Sequence, residues 1–172
     1  NDYTKALNSI WTNLVTTRMH ITGGLGAVEG MEGFGAPYEL PNLTAYNETC
    51  AAVANVFFNY GMYLDSGDAK FLDIAELSLF NNSLAGINLH GDRFFYVNPL
   101  EADGVRRFNH GNGGRAKWFG CACCPPNISR LILQVPGYMY AYSKDRVYLT
   151  LYGGSQTTIP LEGTRVKLEQ TS

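Results

Sequence analysis

The sequence predicts a mainly α chain that turns to β-structure near its C-terminal end. Two patterns carry that expectation. Apolar residues recur at spacings of three and four over Tyr3 to Arg18 and Lys70 to Ile87, and an Ala-rich apolar run without Pro fills Glu48 to Leu64. From Val147 onward the period becomes two, with Val147, Leu149 and Leu151 alternating with Tyr148, Thr150 and Tyr152. The change falls between Val135 and Tyr142, which we read as a domain boundary. Hydrophobic residues at 45% and charged residues at 16% provide enough apolar material for a core and argue against a disordered chain.

The first element places Leu7, Ile10, Trp11, Leu14 and Val15 on one helix face. Ile21 to Asn42 is dense in Gly and Pro, including Gly23-Gly24 and Gly33-Phe34-Gly35, and is expected to be a long loop. Loops of that length inside a compact domain usually carry function. The run ETCAAVANVFFNYGMYL then reads as a buried helix, and Asp68 as the cap of a helix from Lys70 to Ile87. Arg93 to Pro99 reads as a short aromatic strand ended by Pro, and Glu101 to Lys117 as a polar surface loop. Pro125 and Pro126 can open a helix through Ile128, Leu131 and Ile132, because the first turn has no use for their missing N–H groups. Thr157 to Pro160 begins a further strand.

Thirteen Lys plus Arg stand against fifteen Asp plus Glu, so no basic excess is present to neutralise phosphates, and nucleic acid is excluded as a partner class. No apolar run reaches the length of about 18 residues that a membrane span needs. Asn1 to Leu14 carries no initiator Met and no leader pattern, and the final strands are too few to close a sandwich. We therefore expect a piece of a larger protein, with its compartment and oligomeric state left open.

Four cysteines occur: Cys50 alone, and Cys121, Cys123 and Cys124 within one short run. A bond between adjacent Cys123 and Cys124 would be strained, and a chain this apolar needs no staples, so metal ligation is the preferred reading over disulfides. Zinc is the default ion for such thiolates. The cluster alone is an incomplete signal, since the usual paired CxxC motifs are absent. Glu48 and Cys50 would point apart on a regular helix but can converge at an irregular helix start, where the helix dipole favours a thiolate. Equally, Cys50 can be a small buried hydrophobe beside Ala51 and Ala52.

Among carboxylates, Glu32 is the first choice for a general acid, because Met31 and Phe34 could desolvate it. A simply solvated loop Glu is the bland counterpart. His20, His90 and His110 stand singly and are read as structural. Eleven Tyr, nine Phe and two Trp suit a sugar ring as well as a core.

In order and content the runs ITGGLGA, MEGFGAPYELPN, AYNETCA, GDRFFYVNPLE, WFGCACCPPNISR and VPGYMYAY resemble the glycoside hydrolase family 127 enzymes, the beta-L-arabinofuranosidase type once known only as a domain of unknown function. The likeness runs over nearly the whole chain. It implies the closing part of an (α/α)6 barrel catalytic domain over residues 1–135 and the first strands of a β-sandwich domain over 136–172. It implies a retaining exo-acting hydrolase that releases non-reducing-end beta-L-arabinofuranose, or a related furanose, from plant-type glycans. By matching ETC and CACC, the zinc ligands would be Glu48, Cys50, Cys123 and Cys124, with Cys123 the nucleophile. Glu32 would be the acid/base, Tyr96 a sugar contact near the nucleophile, and Cys121 no ligand. Met31 and Glu29 stand where many relatives carry Gly and His, which bears on sugar preference. The resemblance also implies that the rest of a longer chain completes the site, and a bacterial source with cytoplasm or periplasm both open. From a different class, the competing reading is a non-catalytic carbohydrate-binding or structural module in which zinc only pins the CACC run to the ETC helix start.

Overall fold

The computed structural model describes residues 2–171. Helix α1 (Asp2–Thr17) packs through Trp11, whose ring meets Phe71 edge-on at 4.9 Å and whose indole N–H donates to Asn59 Oδ1 at 2.7 Å. Helix α2 (Thr49–Ser66) is the central element and buries Ala52, Val53 and Val56. It stops at Gly67, whose left-handed backbone (φ 71°) lets its N–H bond the Tyr63 carbonyl, a conformation that a Cβ would penalise. Helix α3 (Lys70–Ser78) lies against α2 through Phe71 and Ala75; its N-cap is Ala69 and not the expected Asp68, whose carboxylate, one residue earlier, still accepts the Lys70 N–H.

The expected helix to Ile87 does not continue as one α-helix. It widens into a π-turn over Leu79–Ser83 and tightens into a 3-10 turn over Leu84–Gly86. The widening buries Leu79 in the core and brings Asn82 Oδ1 within 3.3 Å of the Asn47 amide. Gly86 is required at the end of this run. A Cβ there would stand 2.5 Å from Thr49 Cγ2 and 2.9 Å from Ile128 Cδ1, where α2 and α4 begin to cross.

Helix α4 (Cys124–Gln134) opens on the two prolines and buries Cys124, Ile128 and Leu131, one stripe at spacings of four and three. A 3-10 turn over Val135–Tyr138 leads into β1 (Tyr140–Tyr142), which pairs antiparallel with β2 (Val147–Leu149) in the register Tyr140↔Leu149. Strands β3 (Ser155–Leu161) and β4 (Thr164–Gln170) form a second antiparallel pair, Ser155↔Gln170 through Leu161↔Thr164. No helix among the described residues is long and apolar enough to cross a membrane.

Arg93 to Pro99 is not the strand that its aromatic pattern predicts. Phe94 bridges Ile87 and Ala116, and Val97 bridges Glu48, so the segment meets several neighbours at single points instead of one ladder. The reason lies in Asn109. Its buried side chain accepts the N–H groups of Tyr96 (2.8 Å) and Val97 (3.2 Å) and donates to the carbonyls of Phe94 and Gly114, taking bonds that a neighbouring strand would make. The stretch from Glu101 to Lys117 is therefore not wholly a surface loop, for Phe108, Asn109 and Ala116 lie in the core.

Candidate active site

Glu48 is the N-cap of α2 and is extended (φ −67°, ψ 136°), so its side chain does not cap the helix and is free to turn aside. The helix start is stitched to the aromatic segment by Thr49, which donates its N–H to the Tyr96 carbonyl (3.0 Å) and its hydroxyl to the Phe95 carbonyl (2.9 Å). Cys50 then falls in the first turn of α2. Cys123 is the N-cap of α4, and Cys124 its first residue. Two helix N-termini thus converge, and their dipoles both favour negative charge where they meet.

At that meeting point the side-chain donors of Glu48, Cys50, Cys123 and Cys124 all lie within 4.8 Å of one another. Cys50 Sγ is 3.2 Å from Cys123 Sγ and 3.1 Å from Cys124 Sγ, and Cys123 and Cys124 are 3.8 Å apart. Glu48 Oε1 stands 3.6 Å from both Cys123 Sγ and Cys124 Sγ. All four cysteines of the chain are free thiols. A tetrahedral ion with metal–sulfur bonds of ~2.3 Å holds its sulfurs roughly 3.8 Å apart, so this donor set fits zinc with small adjustments.

Of the three clustered thiols, only Cys50 is shifted toward ionisation. Its thiol is pulled below the ordinary value, first by the hydrogen bond from Cys124 and then, against burial, by the Asn127 amide at 3.2 Å. Cys124, the donor in that pair and wholly buried, is pushed far upward. Burial pushes the Cys123 thiol up to about 11, and the Tyr96 hydroxyl 3.0 Å away draws it back down. Tyr96 itself is raised by burial and by its bond to Cys123, so it stays protonated; the Cys123 thiol donates to its oxygen, and the same hydroxyl can donate to the sulfur once that sulfur is a thiolate.

Glu32 does not touch the cysteine group. It sits on the Gly-rich loop with a left-handed backbone (φ 47°), and its Oε1 accepts the Tyr46 hydroxyl at 3.1 Å. Met31 and Phe34 are exposed, as is Glu32, so the desolvation expected from those neighbours is absent in this chain. A cleft of about 590 Å³ opens here, lined by Glu29, Glu32, Tyr46, Arg107 and His110 among others. That volume lies in the range of small-ligand pockets. Cys123 is half-buried and does not line this cleft. Its link to Glu32 runs through the Tyr96 and Tyr46 rings, which meet edge-on at 6.3 Å.

Several participants escape sequence reasoning. His110 (φ 47°) packs its ring 4.4 Å from Tyr96 and 5.8 Å from Phe119, and its Nε2 lies 3.4 Å from the Tyr46 hydroxyl. Nothing in its sequence surroundings signals that role. Asn127 was legible in principle, because it follows Cys123 and Cys124 by four and three positions and so shares their helix face. Cys121 is exposed and outside the donor group. Arg106 donates to the Leu43 carbonyl and the Glu29 carboxylate, tying the loop of Glu101 to Lys117 to the Gly-rich loop.

Fold and site together define a helical domain that carries a three-cysteine, one-glutamate group of the kind that holds a metal ion. A family model described as the beta-L-arabinofuranosidase, GH127 catalytic domain matches residues 1–137, and the chain belongs to that family. It is 46% identical over 134 residues to a non-reducing end beta-L-arabinofuranosidase of Bifidobacterium longum subsp. longum, covering 76% of this chain and 20% of that protein. A solved GH127 beta-arabinofuranosidase superposes with a TM-score of 0.92 at 46% identity, over 99% of this chain and 26% of the other. A GH127 beta-L-arabinofuranosidase from Geobacillus stearothermophilus T6 gives 0.91 at 39% identity, over 98% and 27%. The chain thus spans about a fifth of the curated relative and about a quarter of these structures.

Proposed function

We propose that the chain contributes the closing part of an (α/α)6 barrel (residues 1–135) and the opening of a β-sandwich (136–172) to a longer retaining exo-glycoside hydrolase. The reaction is release of non-reducing-end beta-L-arabinofuranose, or a related furanose, from a plant-type glycan. The observation that carries this reading is the convergence of Glu48, Cys50, Cys123 and Cys124, with the Tyr96 hydroxyl on Cys123. Family membership and a curated relative of that named activity support the substrate class.

Glu48, Cys50, Cys123 and Cys124 would hold zinc, which when bound supplies charge that keeps the sulfurs deprotonated and lowers their basicity. Cys123 is the nucleophile. Cys124 is wholly buried, while Cys50 and Cys123 are both half-buried; Cys50 carries the Asn127 amide and Cys123 the Tyr96 hydroxyl, and the match of CACC to the family singles out Cys123. Its sulfur attacks the anomeric carbon as the bond to the leaving oxygen breaks, and Glu32 gives that oxygen a proton. Glu32, now a carboxylate, takes a proton from water; the water oxygen bonds the anomeric carbon, and the electron pair of the carbon–sulfur bond returns to Cys123. Two displacements retain configuration, with sulfur in the place that a carboxylate takes in most retaining glycosidases.

The test is made in the longer protein. Cys123→Ser should abolish turnover while thermal unfolding stays cooperative, and an arabinofuranosyl mechanism-based reagent should add its mass to the peptide carrying Cys123. Normal turnover in Cys123→Ser, or labelling elsewhere, would overturn the assignment.

A further inference from the structure

The Tyr46 hydroxyl stands between two groups, 3.1 Å from Glu32 Oε1 and 3.4 Å from His110 Nε2. A phenol carries one hydrogen and can serve one acceptor at a time. We propose that Tyr46 is a positioning residue for Glu32, its hydroxyl turning between the Glu32 carboxylate and His110 Nε2 as Glu32 gains and loses its proton. This rests on the reading of Glu32 as the acid/base.

With Glu32 protonated, its O–H sits on the oxygen that faces the leaving group and donates there, and the Tyr46 hydroxyl donates to His110 Nε2, the imidazole proton being on Nδ1. Once Glu32 has passed its proton to the leaving oxygen, the Tyr46 hydroxyl turns and donates to the carboxylate. No proton leaves Tyr46 or His110, and only hydrogen bonds are exchanged. Both forms of Glu32 thereby keep a partner, so neither half of the reaction has to wait for solvent to reorganise.

The surroundings hold Tyr46 and His110 in place. Tyr46 is buried, with its ring edge-on to Tyr96. His110 is aimed by its contacts with Tyr96 and Phe119, and its left-handed backbone matches that of Glu32 across the cleft. A merely structural Tyr46 would need its ring alone. Phe supplies that ring, so the hydroxyl can be tested by itself.

The experiment measures kcat/KM in the longer protein with two leaving groups: 4-nitrophenol, which needs little protonation, and a simple alcohol, which needs much. Tyr46→Phe should lower the alkyl value roughly 10- to 100-fold, the range for a hydrogen bond to a charged group. The 4-nitrophenyl value should change less than about threefold, since general acid help matters little there. His110→Phe should show the same split, and His110→Gln, which keeps an acceptor, should restore most of it. Because His110 is exposed, these two variants test the chain of bonds even if Tyr46→Phe unfolds. Equal losses with both substrates, or wild-type values in Tyr46→Phe and His110→Phe, would overturn the proposal. Glu32→Gln separates the two layers: if it too lacks a leaving-group split, the acid/base reading fails, whereas a split confined to Glu32→Gln removes Tyr46 alone.

Discussion

The Tyr96 hydroxyl lies 3.0 Å from Cys123 Sγ, one of the two half-buried sulfurs of the cluster. Tyr96→Phe keeps the ring contacts with His110 and Phe119 and removes only this hydroxyl. We expect kcat to fall roughly 10- to 100-fold with little change in unfolding midpoint, as loss of a charge-assisted hydrogen bond predicts. Steady-state kinetics beside a thermal scan reads both quantities, and unchanged kcat would show that the hydroxyl has no part in the reaction.

Metal removal should loosen the junction of the two helix starts. Four donors from α2 and α4 meet there, and three cysteines without a cation cannot all ionise. A strong chelator is expected to lower the melting temperature by about 5–10 °C, and Cys50→Ser or Glu48→Ala to weaken zinc binding by at least about tenfold. Elemental analysis with thermal scans makes the check. Full zinc content in Cys50→Ser would remove Cys50 from the ligand set.

Asn109 replaces a neighbouring strand for the Phe94 to Val97 segment, so Asn109→Ala leaves the Tyr96 and Val97 N–H groups buried and unpaired. Each such orphan costs about 1–3 kcal/mol, and a total loss of roughly 3–5 kcal/mol is expected in urea unfolding. Since this segment carries Tyr96, activity should fall with stability. A loss below about 1 kcal/mol would mean that the segment is held by its side chains and not by Asn109.

His20 is buried, and its Nε2 has no hydrogen-bond partner among the described residues. Burial lowers its pKa below 6.5, so the folded state resists protonation that the unfolded chain accepts. Stability is therefore fully present above about pH 6.5 and declines as pH falls below it, by at most about 1.4 kcal/mol per pH unit. Urea midpoints at pH 7.5 and 5.5 for the wild type and His20→Gln test this, and identical pH slopes in both would exclude His20 as the cause.

Helices α1, α2 and α4 and strands β2 and β3 were legible because their signals are local: a stripe at spacings of three and four, prolines in a first turn, alternation in a strand. The end of the expected Lys70 to Ile87 helix at Gly86 and the loss of the Arg93 to Pro99 strand were not, since both answer to distant partners, the Thr49–Ile128 crossing and the Asn109 side chain. At the site, the ETC and CACC motifs named the four donors through a family likeness, while spacing alone left Cys50 undecided between ligand and core residue.

What the chain's own sequence determined is which residues are able to do chemistry: thiols, a carboxylate at a helix entrance, and an aromatic run, each set by local pattern. Only the tertiary structure decided that two helix N-termini meet, that Tyr96 reaches Cys123, and that Tyr46 stands between Glu32 and His110. The physical reason is range. Helix and strand propensities act over a few residues, but a site joining residue 32 to 46 and 110, or 50 to 123, exists only once burial of the shared core has brought those segments together.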